Sequence, residues 1–354
     1  MPRFLTREIS AHASLDGLLT AARMTGLPIQ IITLMEVVPP AGWRGAPRKV
    51  AKKFGLLLVH LVLAWDILRM PRDRFGLVRE FLSVPTLLIW PVIWFRRRRL
   101  LFVVNHNLDS ALCSSLQRLA LRWLWRMGIR LLCFESTAGL AELGLSNDSP
   151  RAFAIPTPLS PTSSSRPSTG RPPVIGIVGN VRSEKGFDDL LRVMTDAVRV
   201  GKLTARLLIG TGDAEVRRRC GALGWEEVDT TRQQDYFNAL SRCDLVVFNY
   251  QRSNYFFRIS GVVADAISAG AFVVAPNFPG LASQISEPSR VGLTFDSVEE
   301  LPELLNRALN LAAATPADAF QLQVASRSPA RLAECLREVF RSFEPIIAVS
   351  PARA

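Results

Sequence analysis

The 354-residue chain contains little cysteine and very little histidine. The five cysteines are Cys113, Cys133, Cys220, Cys243 and Cys335. None lies in a CxxC pair, which excludes a disulfide framework, argues against a zinc module and favours a reducing compartment. The three histidines are His12, His60 and His106. They leave few candidates for imidazole chemistry, and no compact set of metal ligands is visible, so we expect an activity without metal or cofactor.

Long apolar segments are also missing. The first 30 residues lack the apolar core of a signal peptide, and no later stretch reaches the roughly 20 apolar residues of a spanning helix. Residues 54–68 and 81–95 are shorter apolar stretches of 15 residues each. The second contains Trp90 and Trp94 and runs into the four arginines at 96–99. These residue types are typical of a membrane–water interface, to which Leu87, Leu88, Ile89 and Ile93 would add apolar area.

The formal net charge of +12 is confined to one half of the chain. Residues 1–173 hold 23 basic and 10 acidic side chains, whereas the remainder holds 20 and 21. Such asymmetry predicts an anionic partner for the first half. Apolar residues interleave with the basic cluster, which favours the anionic inner face of the plasma membrane and disfavours nucleic acid. The alternatives are a soluble protein with an anionic acceptor, or a pair of core elements capped by solvated arginines.

A proline- and serine-rich segment divides the chain. Residues 155–173 hold six prolines, and no aliphatic residue lies between Leu159 and Val174. We therefore expect a linker at 156–173, domains at 1–155 and 174–312, and a helical tail at 313–354. Short apolar strands alternate with helices after the linker and, less regularly, before it. This pattern predicts an α/β fold of two Rossmann-like domains facing across a cleft, with ligand at the carboxyl ends of the strands.

Three strand-to-helix turns of the second domain carry candidate binding residues. The first contains Gly179, Asn180, Arg182 and Lys185, and the second contains Gly212. Glycines let the backbone approach a phosphate that the cations neutralise. In the third turn Arg258 precedes Ser260 and Gly261, which begin a helix whose amino end attracts anions. Asp265 lies five residues further on, where it could accept hydrogen bonds from a ribose.

Four segments in order carry a family resemblance: IVGNVRSEKGFDDLL, RLLIGTG, YFNALSRCDLVVFNY (ending at Tyr250) and RISGVVADAISAGAFVVAPNFPG. Residues 174–312 resemble the donor domain of GT-B glycosyltransferases, most closely the retaining group 1 (family 4) enzymes. The resemblance implies transfer of a sugar from a nucleotide diphosphate sugar to a glycan or lipid-linked acceptor in cell-surface polysaccharide synthesis. It places Tyr250 among the donor-binding residues.

The resemblance is incomplete at two positions. Lys185 falls on the family's diphosphate-binding lysine, but Asn180 stands at the arginine position, with Arg182 two residues on. Asp265 falls on the second of two family glutamates, and Phe257 replaces the first. These departures keep open an alternative in which the protein is a non-catalytic subunit that binds nucleotide or glycan.

In the first domain, Asn105-His106-Asn107 closes a strand and resembles the HN motif of such transferases. His106 is therefore a candidate catalytic residue together with Lys185 and Arg258. A histidine at the carboxyl end of a strand is well placed for proton transfer. The alternative is a loop histidine that only bonds neighbouring backbone.

Overall fold

The computed structural model describes residues 5–6, 13–33, 36–37, 45–79, 81–104, 106–146, 149–159, 171–181 and 185–343. The chain divides into two compact units. The first unit comprises Met1–Ile155 and Leu332–Ala354, and the second unit comprises Pro156–Arg331. Most of the predicted linker, residues 160–170, lies outside the described residues.

The first unit is built on a parallel sheet of five strands in the order β2-β4-β5-β6-β7. A separate antiparallel pair joins β1 and β3. The strands are β1 (Leu5–Thr6), β2 (Ile29–Thr33), β3 (Glu36–Val37), β4 (Phe75–Arg79), β5 (Leu100–Val103), β6 (Leu131–Phe134) and β7 (Ala152–Ile155). The helices are α1 (Ala13–Met24), α2 (Gly45–Arg69), α3 (Ser83–Leu88), α4 (Trp90–Arg96), α5 (His106–Cys113) and α6 (Ser115–Arg126), with 3₁₀ turns at Arg97–Arg99 and Ala138–Leu143.

The second unit has six parallel strands in the order β10-β9-β8-β11-β12-β13. The strands are β8 (Val174–Val178), β9 (Arg206–Thr211), β10 (Glu226–Asp229), β11 (Leu245–Val247), β12 (Phe272–Pro276) and β13 (Gly292–Phe295). The helices are α7 (Phe187–Arg199), α8 (Ala214–Gly221), α9 (Gln233–Arg242), α10 (Arg252–Tyr255), α11 (Gly261–Ser268), α12 (Pro279–Ser286), α13 (Leu301–Ala314) and α14 (Ala317–Ser326), with a 3₁₀ turn at Val298–Glu300.

Both sheets confirm the predicted α/β class. The central strands β8, β11 and β12 are buried along their whole length, which accounts for their continuous apolar sequences. The edge strand β10 was not predicted, because its sequence EEVD has three acidic residues and only one apolar residue. In the structure its positions alternate between half-buried and exposed. Charged side chains of this kind are ordinary on an edge strand, where they discourage further strand pairing.

The last helix, α15 (Pro329–Arg341), packs mainly on the first unit. The Phe340 ring lies 5.0 Å from the Phe75 ring between centroids. The Arg337 guanidinium donates to the backbone carbonyl of Thr25 at 2.9 Å and to that of Met24 at 2.8 Å. The carboxyl-terminal segment therefore completes the core of the unit in which the chain begins.

The two apolar stretches form helices of different lengths. Residues 54–68 lie within the 25-residue α2, whereas residues 81–95 form the shorter α3 and α4. In the part of the chain that the structure describes, no helix is both long and apolar enough to cross a membrane.

Candidate functional site

The strand order of the second unit reverses between β8 and β11. From β8 the chain proceeds outward through β9 to β10, and it then returns to the other side of β8 and proceeds through β12 to β13. At such a switch point the loops leave the sheet in opposite directions, and a crevice opens at the carboxyl ends of the strands. Most of the donor-binding residues predicted from the sequence follow these strand ends.

Two glycines shape the turn after β8. Gly179 has a φ of +115°, and a Cβ there would come within 3.3 Å of Val262 on α11. Gly186 has a φ of +56°, and a Cβ there would approach the Asn249 carbonyl oxygen to 2.5 Å. The Asn249 side-chain amide donates to the Gly186 carbonyl at 3.0 Å. The turn after β8 is thus held against both α11 and the loop after β11.

Lys185 is the described cation of this turn. Its Nζ donates to the Asn180 backbone carbonyl at 2.8 Å and lies 5.9 Å from the centroid of the Tyr250 ring. Two of the predicted residues, Lys185 and Asn180, therefore meet, although through the backbone oxygen of Asn180. Arg182 lies outside the described residues.

Three stacked aromatic rings lie next to Lys185. The Tyr250 ring stacks on Tyr255 at 4.2 Å and 11°, and on Phe248 at 5.4 Å and 16°. The Arg258 guanidinium carbon lies 5.3 Å from the Tyr255 ring centroid. Lys185 and Arg258 both border this aromatic stack, where the negative ring faces favour cations. The structure thus places Lys185 and Arg258, two of the predicted catalytic residues, beside the same stack of aromatic rings.

The stack is joined to the amino end of α11. The hydroxyls of Tyr250 and Ser260 lie 2.6 Å apart, and Ser260 Oγ also accepts from the Val263 backbone N–H at 3.3 Å. Tyr250 is only 3% exposed, and its side chain supports this helix cap while it also lines the small pocket that Asn180 and Lys185 border, so its role in donor binding stays a prediction. Gly261, the first residue of α11, is exposed, and a Cβ there would meet no atom of another element within 4 Å. The amino end of α11 thus presents its first backbone N–H groups and its positive dipole end at a surface that an anion can reach.

Asp265 lies one turn into α11. Its Oδ2 accepts a hydrogen bond from the Tyr236 hydroxyl of α9 at 2.8 Å. Burial raises the pKa of the Asp265 carboxyl, an effect that the hydrogen bond from Tyr236 partly offsets. The pair orients the carboxylate and leaves its second oxygen to accept from a ligand hydroxyl. The sequence does not reveal Tyr236 as the partner of Asp265, because the two residues are 29 positions apart.

The turn after β9 contributes an exposed glycine and a further set of polar groups. A Cβ on Gly212 would lie 3.5 Å from Thr231, so the ends of β9 and β10 adjoin here. Arg217 donates to the Thr211 carbonyl and also pairs with Asp229 at 3.1 Å. Thr231 donates to Asp229 from its hydroxyl at 2.5 Å and from its backbone N–H at 2.9 Å, and these two hydrogen bonds lower the pKa of the Asp229 carboxyl. Arg217, Asp229 and Thr231 were not predicted from the sequence, because they belong to none of the three glycine- or serine-containing turns.

The first unit has its own polar edge. His106 begins α5 directly after the central strand β5, as the resemblance implied, but its side chain lies outside the described set. Arg79 ends the neighbouring strand β4 and is buried. Glu135 follows β6 with a φ of 65°, a left-handed conformation that is uncommon for a residue with a side chain. Carboxyl ends of three adjacent strands thus carry charged or imidazole residues.

Among the described residues there is no group of three or more side chains suited to hold a metal ion. The site of the second unit offers backbone N–H groups, a lysine, an arginine and a carboxylate. These are groups that bind a diphosphate and a sugar hydroxyl.

The structural comparisons identify the class of this fold. Sucrose-phosphate synthase from Thermosynechococcus elongatus matches with a TM-score of 0.62 at 14% identity, over 96% of this chain and 94% of that one. The HepE protein of Anabaena, solved in complex with UDP-glucose, matches with 0.58 at 13% identity, over 95% and 96%. The apo lipopolysaccharide outer core galactosyltransferase WaaB matches with 0.57 at 12% identity, over 83% and 81%. These structures confirm the predicted GT-B fold of two Rossmann-like units.

The sequence comparison is confined to the second unit. The model of the family described as "Glycosyl transferases group 1" matches residues 172–311, which confirms the resemblance that the four segments predicted. No curated protein matches the chain in sequence. The family match includes every donor-binding residue predicted above and none of the first unit.

Proposed function

We propose that the protein is a glycosyltransferase that moves a hexose unit from a nucleotide diphosphate sugar to a glycan or lipid-linked acceptor in cell-surface polysaccharide synthesis. The observation that carries the proposal is the placement of Lys185 and Arg258 on one aromatic stack whose Tyr250 hydroxyl bonds the cap of α11. The family match over 172–311 and the UDP-glucose complex of the HepE protein support the same donor chemistry.

The chemistry follows from where charge develops. As the glycosidic bond to the nucleotide breaks, negative charge grows on the leaving diphosphate. Lys185, Arg258 and the N–H groups at the start of α11 would stabilise that charge without a metal. Asp265, oriented by Tyr236, would accept hydrogen bonds from the ribose. In this proposal the reaction needs no cofactor and retains the anomeric configuration, as the resemblance implies.

The acceptor would bind in the first unit. His106 follows the central strand at the edge that Arg79 and Glu135 share. An imidazole there would exchange a proton with the acceptor hydroxyl.

The test is turnover of the full chain with a panel of nucleotide diphosphate sugars, after a thermal-shift screen has selected those that bind. Lys185→Ala and Arg258→Ala should each lower turnover at least about tenfold, equivalent to about 1.4 kcal/mol of transition-state stabilisation. Lys202→Ala, at an exposed lysine beyond the end of α7, is the matched control and should leave turnover unchanged.

The same experiment distinguishes a glycosyltransferase from the alternative, a non-catalytic subunit. A non-catalytic subunit that binds nucleotide or glycan would show thermal shifts with neither donor hydrolysis nor transfer. The replacement of one family glutamate by Phe257 is the feature that favours this alternative. Equal turnover in the wild type and in both cation variants would overturn the assigned roles of Lys185 and Arg258.

A further inference from the structure

Large apolar side chains are exposed very unevenly over this protein. Fifteen are exposed among the described residues, and three of these, Val200, Leu223 and Leu322, belong to the second unit. Eleven lie between residues 54 and 123 of the first unit, on four helices or their ends. They are Phe54, Leu57, Leu61, Trp65, Leu68, Leu88, Trp94, Phe95, Leu116, Leu119 and Trp123. A cluster of this size is more than the scattered apolar residues of an ordinary surface.

On two helices these residues form outward stripes. On α2 the exposed positions run from Phe54 to Leu68 at spacings of three and four residues, and Trp65 is 53% exposed. On α6 the exposed positions are Leu116, Leu119 and Trp123, and Leu119 is 64% exposed. Spacing of three or four residues places side chains on one face of a helix. Each helix therefore has a second apolar face in addition to the one that it buries in the core.

Helix α4 connects the two stripes into one surface. The Arg96 guanidinium donates to the Leu68 carbonyl of α2 at 3.0 Å. The Trp90 ring lies 5.8 Å from the Trp94 ring and 5.2 Å from the Trp123 ring of α6. Phe95, on the same helix, is 70% exposed. We call this continuous surface of α2, α4 and α6 the tryptophan face.

Arginines lie directly on its aromatic rings. The guanidinium carbon of Arg69 lies 4.2 Å from the Trp65 ring centroid, and that of Arg97 lies 3.4 Å from the Trp94 ring centroid. Residues 54–126 contain eleven arginines and four acidic residues. Exposed tryptophans beside arginines match the interface of a bilayer, where rings lie among headgroups and guanidinium groups meet phosphates.

We propose that the tryptophan face binds the surface of an anionic lipid bilayer, with the exposed apolar side chains inserted to the depth of the headgroups. Charge decides between this occupant and a second copy of the chain, since a symmetric dimer would bring two arginine-rich surfaces together. Of the apolar residues that the sequence assigned to the membrane, Ile89 and Ile93 are buried in the core, so that expectation was wrong for them. The stripes of α2 and α6 provide the apolar contact instead. Binding of lipid does not depend on the proposed transferase activity.

Flotation of the full chain with vesicles tests the proposal. The probes are vesicles of phosphatidylcholine alone and of phosphatidylcholine mixed with phosphatidylglycerol, whose negative surface potential attracts basic segments. Wild type should float with the anionic vesicles and much less with the neutral ones. Leu61→Ser, Trp65→Ser and Leu119→Ser combined should lower the bound fraction at least about tenfold, because these exposed side chains supply inserted apolar area.

Matched controls distinguish this result from unfolding and from self-association. Val200→Ser, Leu223→Ser and Leu322→Ser remove the same class of side chain from the second unit and should float like wild type. Far-UV circular dichroism must be unchanged in both triple variants. The proposal is overturned if wild type does not float, or if the tryptophan-face variant floats equally well. It is also overturned if sedimentation shows a dimer without lipid that only the tryptophan-face variant dissociates.

Discussion

The hydroxyl of Tyr250 lies 2.6 Å from the hydroxyl of Ser260, which caps the helix that faces the proposed diphosphate. This contact joins the loop after β11 to the amino end of α11. A buried tyrosine thereby controls the position of backbone N–H groups that the ligand would contact.

Removal of this hydroxyl should cost stability and ligand affinity together. Tyr250→Phe should lower the free energy of unfolding by about 1 kcal/mol, the usual net value of one buried hydrogen bond. It should also weaken binding of a nucleoside diphosphate several-fold, because the cap is less firmly held. Tyr250→Phe and Ser260→Ala form a double-mutant cycle by chemical denaturation. Additive effects in that cycle would contradict the proposed coupling.

Substitution of Asp265 by asparagine should raise or preserve stability at neutral pH and should weaken ligand binding. Burial raises the pKa of its carboxyl, so ionisation opposes folding at neutral pH, and this cost is relieved as the pH falls through the raised pKa. Asp265→Asn should therefore melt at or above the wild-type temperature at pH 7, and the difference should shrink towards pH 4. The same variant should bind nucleotide sugar more weakly. Thermal melts from pH 7 to 4 measure the first effect, with Asp189→Asn, at an exposed position of α7, as the control.

His60 should make the first unit sensitive to mild acid. Its ring is fully buried on α2, with Nδ1 bonded to the Leu56 carbonyl at 2.8 Å and Nε2 without a partner among the described residues. Burial lowers the pKa of His60, so the unfolded chain takes up a proton near pH 6.5 before the folded chain does. Stability from this group is thus complete above pH 6.5 and lost as the pH falls below it. His60→Gln should reduce the decrease in melting temperature between pH 7 and 5, and an unchanged decrease would contradict the prediction.

Four of the five cysteines should divide into one fast and three protected thiols, and the half-buried Cys335 should react at a rate between them. Cys133, Cys220 and Cys243 are buried, and burial raises their pKa values to about 12, about 11 and about 12. Since the thiolate is the reactive form, these three should react with a thiol reagent only after unfolding. Cys113 is exposed and should react first. Mass spectrometry after timed labelling identifies the sites, and Cys113→Ser should remove the fast phase.

The sequence by itself determined the class of the fold, and it indicated which strand-to-helix turns of the second unit carry the candidate site residues. The buried strands β8 and β12 are continuous apolar runs, and such runs are visible without a structure. The sequence also indicated the candidates Gly179, Lys185 and Gly261. Each lies in a turn that directly follows a strand or directly precedes a helix, and the residues of such a turn are neighbours in the sequence. Features that depend only on neighbouring residues can therefore be predicted from the sequence.

Only the tertiary structure decided which residues meet and which faces are covered. Tyr236 and Asp265 are 29 positions apart, and nothing in either local sequence indicates the other. Phe340 packs on Phe75, which is distant in the sequence, and this contact assigns α15 to the first unit. Ile93 and Trp94 are adjacent apolar residues, yet one is buried and the other exposed. Hydropathy records how apolar a side chain is, whereas burial depends on the elements that pack against it, and those are brought together only by folding.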